Sequence, residues 1–445
     1  MDRIQTVSAA LQVQLGDSLD ELARECKVVI RERQFTGQTL LLMIVVTLLE
    51  KPAATWADFH ATAARLGLEV TRTAVEKRFA AGDPLVEFFR RALERVLQQS
   101  PIGNPSSTEL LQPFVAVLVG DATTIALPDD LADLFPGCGG AVGTSRAALK
   151  LQVLWDLKTG QLVKRVVEPG RASDAKSLIA LDEAAAGTLL VYDLGYFDAN
   201  RFAALDAHKA KFISRLQYGT DVHDLDGNYF DLLTFFRGQS ASLVDRMILL
   251  GATARLCCRL IAIRVPEEVA NRRRQQARDK VKKKNGGEPA AKYLELLGWT
   301  MFVTNCTAEE LTWKAVVVLY RARWQIELLF KLWKSHNRLQ RGRAGASAKE
   351  FLAVFYAKLL GVVLQHGILV ATAWHVAARS LMKAAKLLAD EIKEMMKALG
   401  DLDRLEELLR ELQRLIENQA KTTNRNKNPS HAQLMADPDL LDWLY

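Results

Sequence analysis

Cysteine is scarce and unpatterned: Cys26, Cys138, Cys257, Cys258 and Cys306 are odd in number and show no CxxC or Cys/His spacing. A disulfide framework and a thiolate metal site are thereby excluded, and reduced thiols in a cytosolic compartment are expected. The N-terminal MDRIQTVSAALQVQLGD lacks an apolar signal core, so the chain reads as cytoplasmic with no membrane targeting. Long apolar runs are also few. Leu40 to Leu49 has about half the length of a spanning helix. Leu359 to Ala378 is long enough, but Gln365, His366 and His375 interrupt it and Lys358 abuts it. Such groups are expensive in lipid, so both stretches are expected to be buried helices. Acidic and basic residues balance almost everywhere. The net charge is +7, and Arg272–Lys284 (RRRQQARDKVKKK) holds eight basic residues against Asp279, so the remainder sums to zero.

The 445 residues leave room for two or three domains. Helical spacing of apolar residues predicts helices over Ser18–Arg33, Thr36–Glu50, Trp56–Arg65, Thr71–Ala81 and Pro84–Gln99. Ala63, Gly67 and a Thr71 N-cap, followed by Arg72, Lys77 and Arg78, loosely resemble a helix-turn-helix; a plain helical hairpin is the equal alternative. After the loop Pro101–Ser107 the pattern changes. Phe114–Val119 is an apolar strand running into Asp121 and the alternating Thr123, Ile125 and Leu127. Leu149–Leu157 and Gln161–Val167 read as two more strands, Ser173–Ala186 as a helix, and TLLVYD as a strand ending in Asp193. Ala199–His208 and Lys211–Leu216 complete a β-β-β-α-β-α-β order, an α/β sheet in which Asp121 and Asp193 fall on neighbouring strands. The residues after Leu216 read as an inserted β-rich and helical subdomain carrying the basic helix. A strand from Trp299 to Asn305 follows, and helices over Ala348–Ala378, Leu381–Leu399 and Leu402–Glu417 close the chain, with a polar tail KTTNRNKNPS.

Within YRARWQIELLFKLWKS (Tyr320–Ser335), Tyr320, Arg323, Glu327 and Lys334 project within roughly 60° of one helix face. An acid, two cations and a phenol share one stripe. Trp324, Ile326, Leu328, Leu329, Phe330, Leu332 and Trp333 occupy the rest of the circumference and predict a helix largely buried, with the polar stripe along a cleft. The alternative is a surface ladder of i,i+4 pairs, Arg323 to Glu327 and Glu327 to Lys331.

The spacing Y-x2-R-x3-E-x6-K, with Trp directly after the Arg, resembles the YREK signature of the insertion-sequence-four family of bacterial DDE transposases. GDATT around Asp121, YDLGYFD around Asp193, and LPDDLADLFPGCGG followed by LKLQVLWDLKTG between them are similar to family segments as well. The resemblance runs from about Val115 to Arg343. It implies an RNase H-like core in two parts, 106–216 and 299–345, interrupted by an insertion at 217–298 and flanked by a helical DNA-binding region at 1–105 and a helical region at 346–445. It further implies catalytic and metal-ligating roles for Asp121, Asp193 and Glu327, and phosphate contacts for Tyr320, Arg323 and Lys334. Trp299 takes the place where some relatives stack a flipped base; a Trp that caps the core is the alternative.

Phosphodiester cleavage needs charge stabilised on the attacking and leaving oxygens, which two divalent cations about 4 Å apart can provide. Mg²⁺, or Mn²⁺ in its place, takes oxygen ligands, so two Asp and one Glu form a sufficient donor set. The implied partners are double-stranded DNA, both terminal inverted repeats and target, and a second copy of the chain in a synaptic dimer. The implied activity is cut-and-paste transposition by cleavage and strand transfer. A repurposed or inactive DNA-binding protein and an RNase H-like nuclease without strand transfer are the rivals. Arg272, Arg273, Arg274, Lys282, Lys283 and Lys284 on the basic helix either track phosphates or only aid solubility. Six charges on phosphates would give a log–log salt slope near −5.

Overall fold

The computed structural model describes residues 2–31, 34–98, 108–139, 145–343, 345–425 and 428–444, without the side chains of 175, 284, 285 and 442–444. The expected loop Pro101–Ser107 and residues 426–427 of the polar tail lie outside these residues. Six helices open the chain: α1 (Arg3–Leu15), α2 (Ser18–Glu25), α3 (Gly37–Glu50), α4 (Trp56–Arg65), α5 (Arg72–Phe79) and α6 (Asp83–Gln98). The expectation of one helix over Ser18–Arg33 is corrected. Lys27 turns to φ 58, and the Val28 and Val29 amides donate back to the Ala23 carbonyl. A left-handed cap built on lysine rather than glycine leaves no sequence signal. The helix α1 was not read from the sequence. Thr71 caps α5 as expected, accepting from the Ala74 amide at 3.2 Å. Arg78 turns inward, over the Phe35 ring.

Nine strands form one sheet: β1 (Val117–Leu127), β2 (Ala147–Asp156), β3 (Leu162–Pro169), β4 (Leu189–Tyr192), β5 (Lys211–Arg215), β6 (Val222–His223), β7 (Leu243–Leu250), β8 (Leu256–Arg264) and β9 (Trp299–Thr304), in spatial order β3-β2-β1-β4-β5-β9-β8-β7-β6. Pairing is antiparallel throughout β3-β2-β1 and from β5 onward, while β1-β4-β5 are parallel. The strands of the segment expected as an insertion continue this sheet through β8 and β9. Helix α7 (Ala199–Ala207) connects β4 to β5.

The helix expected over Ser173–Ala186 is absent; only a single 3₁₀ turn at Asp174–Lys176 forms. This stretch must carry the chain from edge strand β3 past β2 and β1 to β4. Tertiary bonds hold it extended: the Leu181 amide donates to the Tyr192 hydroxyl, which donates to the Ile179 carbonyl. Buried Ile179 fixes it to the sheet. Side-chain anchoring overrides the helix preference of its alanines.

Helices α8 (Leu232–Arg237), α9 (Glu267–Asn285) and α10 (Ala291–Leu296) lie among β6–β9. They are followed by α11 (Trp313–Ala322), α12 (Trp324–Lys331), α13 (Ala348–Ala373), α14 (Leu381–Lys397), α15 (Leu402–Gln419) and α16 (His431–Ala436). By length and composition α13 could cross a membrane, but 94% of its most apolar window is buried inside the fold. The buried Lys358, Gln365 and His366 on it are partnered. Lys358 donates to the Arg338 and Arg341 carbonyls, Gln365 accepts from Asn337, and His366 meets the Gly160 carbonyl. Burial pushes Lys358 down to about 8 and His366 down to about 4. On α15, Leu405, Leu408, Leu409, Leu412 and Ile416 are buried within the chain. The polar tail is pinned where described, its Thr422 amide donating to the Ala378 carbonyl.

The β2–β3 turn locks sheet to bundle. Gly160 sits at φ 78, and a Cβ there would lie 2.5 Å from the Trp374 ring; its carbonyl accepts from Trp155 Nε1 and meets His366 Nε2. Gly160→Ala combines a left-handed backbone with overpacking. It is expected to lower unfolding free energy by about 2 to 4 kcal/mol in urea titrations.

Candidate active site

The parallel register of β1 and β4 aligns Val117 with Leu189 and Gly120 with Tyr192. The next residues are Asp121, still within β1, and Asp193, directly past the end of β4, so the adjacent strands deliver two carboxylates at the same level. Asp121 still pairs across β2 with Val153, which fixes its direction. Asp193 leads a 3₁₀ turn at Leu194–Tyr196.

The third acid arrives on α12. Ile326, Leu329, Phe330 and, just beyond, Trp333 are buried and seat this helix on the sheet. The sequence predicted one continuous helix, but the ladder tightens at Arg323, whose amide donates to the Tyr320 carbonyl at 3.2 Å. A π-helical turn at Leu332–His336 then follows. Arg323, Glu327 and Lys334 nevertheless line the same cleft, and Tyr320 stands beside it, bonded to Asp193. The expected interior places of Trp324 and Leu328 are corrected: they are 57% and 41% exposed, because α12 buries only its sheet-facing side.

Arg323 is the centre of the cleft. Its guanidinium lies 2.8 Å from Asp121 Oδ2, 3.3 Å from Glu327 Oε1 and 3.9 Å from Asp193 Oδ1. The side chain is only 14% exposed, so the surface-ladder alternative does not hold. The Tyr320 hydroxyl donates to Asp193 Oδ1 at 3.3 Å, and its ring packs edge-on against Phe302 of β9. Lys334 Nζ donates to Thr123 Oγ1 and to the Thr124 carbonyl. The cleft holds about 610 Å³ and is also lined by Phe330, Lys331, Ser335 and Gln340. Thr123 was not singled out from the sequence, although its place two residues beyond Asp121 on one strand face was a usable signal. Lys331 figured only in the ladder reading.

Burial pushes Asp121 up to about 6, with the Asp193 and Glu327 charges adding to it and Arg323 and the Ala122 amide opposing. Burial also raises Tyr320 to about 12, helped by Asp193. Burial works against the Arg323 charge, yet the surrounding carboxylates outweigh it and the guanidinium is held more firmly protonated than usual.

In kind and charge, three carboxylates gathered around one cation suit a divalent metal. Their present spacing is that of ligands to a guanidinium, and among the described residues no three of His, Cys, Asp and Glu stand as a ready cage. Trp299 is placed as the core-capping alternative has it. It is 7% exposed, stacked on Phe236 at 4.4 Å with Arg264 over its ring. It caps a small core between α8 and the sheet and borders a cavity of about 280 Å³ together with Arg237, Arg264 and Glu295.

The basic segment forms most of α9, about 28 Å long. Arg273 donates to Thr300 and to the Leu297 carbonyl, and Arg274 pairs with Glu267. These two anchor the helix. Arg272, Arg278, Lys280, Lys282 and Lys283 are exposed; the Lys284 side chain lies outside the described residues.

In metal-free protein labelled at the aspartate carboxyl carbons, NMR is expected to show Asp121 titrating near pH 6. Arg323→Ala should move that midpoint upward, because the variant loses the charge that favours the carboxylate. An unmoved midpoint would disconnect the two groups.

Residues 114–360 match the transposase DDE domain family. The chain is 30% identical over 363 residues to the transposase for insertion sequence element IS231C of Bacillus thuringiensis subsp. berliner, covering 75% of this chain and 73% of that protein. It is 28% identical over 370 residues to the IS231F transposase of B. thuringiensis subsp. israelensis, covering 78% and 76%. Against the IS1151 transposase of Clostridium perfringens the identity is 24% over 372 residues, covering 78% and 77%. With more than half its length in that match, the chain belongs to the transposase DDE domain family.

Proposed function

We propose that this protein is an insertion-sequence transposase of the YREK-bearing, insertion-sequence-four type, which binds the ends of its element and moves it by phosphodiester cleavage and strand transfer. The observation that carries the reading is the convergence of Asp121, Asp193 and Glu327 on one guanidinium in an open cleft, with Lys334 on its wall and Tyr320 bonded to Asp193 beside it. The antiparallel β3-β2-β1 group joined to parallel β1-β4-β5 supports an RNase H-like core. The three relatives are transposases for insertion sequence elements, which supports DNA as substrate.

In this reading Asp121, Asp193 and Glu327 would hold two Mg²⁺ ions, which when bound supply charge stabilisation to the oxygens of an in-line displacement. The protein's own groups do the rest. Tyr320 is held by Phe302 and Asp193 beside the cleft, Lys334 is held by Thr123, and Arg323 lies between them. They form a row of donors that would grip phosphates on either side of the bond to be cut. Exposed cations along α9 would extend the hold on the duplex. Two copies would bring two element ends together, each contributing one cleft.

Glu327→Gln keeps the shape of the side chain and removes its charge. It is expected to leave duplex binding unchanged while lowering Mg²⁺-dependent cleavage of the element ends by about a hundredfold or more, read in a nicking assay; cleavage at the wild-type rate would remove Glu327 from the site. A second measurement addresses α9. Changing Arg272, Arg278, Lys280, Lys282 and Lys283 together to Gln is expected to flatten the log–log salt dependence of duplex binding by about 4. An unchanged slope would assign those charges to solubility.

A further inference from the structure

Arg323 stands where a cation ligand would stand. Its guanidinium is the nearest positive charge to Asp121, within reach of Glu327 and Asp193, and largely out of water. Lys334, the other cation of the stripe, is turned instead to Thr123 and the Thr124 carbonyl. The carboxylates are thus neutralised mainly by an arginine that belongs to the same chain. A divalent ion entering this cleft meets an occupied place, and two cations side by side in a buried site repel each other strongly.

Two further features indicate that Arg323 has another resting place. Its Nε is buried and has no hydrogen-bond partner among the described residues, so the side chain is not fully satisfied where it lies. It also borders a second cavity, of about 390 Å³, whose other walls include Tyr320, Arg321, Trp324, Gln325 and His431 and, among the described residues, no carboxylate. Arg323 therefore separates a negatively charged cleft from a neighbouring space with positive and aromatic walls. A phosphate in that space would find a guanidinium one side-chain rotation away, with five donors suited to phosphate oxygens.

We infer that Arg323 is an internal counter-ion that closes the carboxylate cleft to divalent cations until a DNA phosphate in the adjoining cavity draws it away. The inference rests on the reading of Asp121, Asp193 and Glu327 as metal ligands. It makes cation binding and DNA binding mutually dependent: each ligand should tighten the other by the same factor. The device keeps a phosphodiester-cutting centre unloaded while the protein is free.

The test is Mn²⁺ binding, followed by electron paramagnetic resonance of the free ion, with no cleavage required. In the absence of DNA, Arg323→Gln is expected to bind Mn²⁺ about tenfold or more tightly than wild type, and Asp121→Asn added to it should abolish the gain. With the unaltered protein, saturating duplex DNA carrying the terminal repeat that flanks the gene should tighten Mn²⁺ binding by a similar factor, while Arg323→Gln should respond little. The DNA arm needs no variant and stands if the substituted chain fails to fold. Acid-dependent Mn²⁺ binding that is equally strong with and without DNA in the wild type would overturn the counter-ion role and leave the metal site intact. Absence of any binding sensitive to Asp121, Asp193 or Glu327, in every condition, would overturn both.

Discussion

The register of one parallel strand pair is the constraint on which the site depends. Pairing of Val117 with Leu189 through Gly120 with Tyr192 places Asp121 and Asp193 at matched heights on neighbouring strands. A shift of one residue would turn one of the two carboxylates to the opposite face of the sheet. That register is secured from both sides, by the long antiparallel pairing of β1 with β2 and by the parallel pairing of β4 with β5. Buried apolar residues at alternate positions, Val117, Val119, Val153 and Val191 among them, make any slip costly.

Onto this frame α12 brings a third carboxylate and a guanidinium together. The helix is not a regular rod. Its ladder tightens at Arg323 and widens at Leu332–His336, and departures of this sort gather at functional positions. Here they allow residues spread over four turns to meet in or beside one cleft while Ile326, Leu329, Phe330 and Trp333 stay buried. The surrounding helices act as a support. Lys358 ties α13 to the segment just after the π turn, and α16 packs on α11, so the stretch that carries the stripe is supported at both ends.

Much of this was legible in the residues. The strand leading to Asp121, the short apolar run ending in Asp193, the basic helix and the Tyr320–Lys334 stripe each carry a periodic or compositional mark. Other features had none. The crossover through Ile179 reads as a helix because its alanines favour one, yet the Tyr192 hydroxyl holds it extended. The cap at Lys27 is left-handed without glycine. Arg273 and Arg274 look like their neighbours in sequence but are turned inward by Thr300, the Leu297 carbonyl and Glu267. For Trp299 the residues left base stacking and core capping open, and its packing on Phe236 is a tertiary contact with no local mark.

The sequence by itself determined most of the elements and the residue types they present, because helical and strand periodicities are local properties of the chain. It also carries the family, through the match of residues 114–360 to the transposase DDE domain. Only the tertiary structure decided what each charged group faces. That a guanidinium lies among the three carboxylates, with an unpartnered nitrogen and a neighbouring cavity, follows from strands and helices some two hundred residues apart meeting in space. Electrostatic partnership depends on distance through the fold, and no local pattern encodes it.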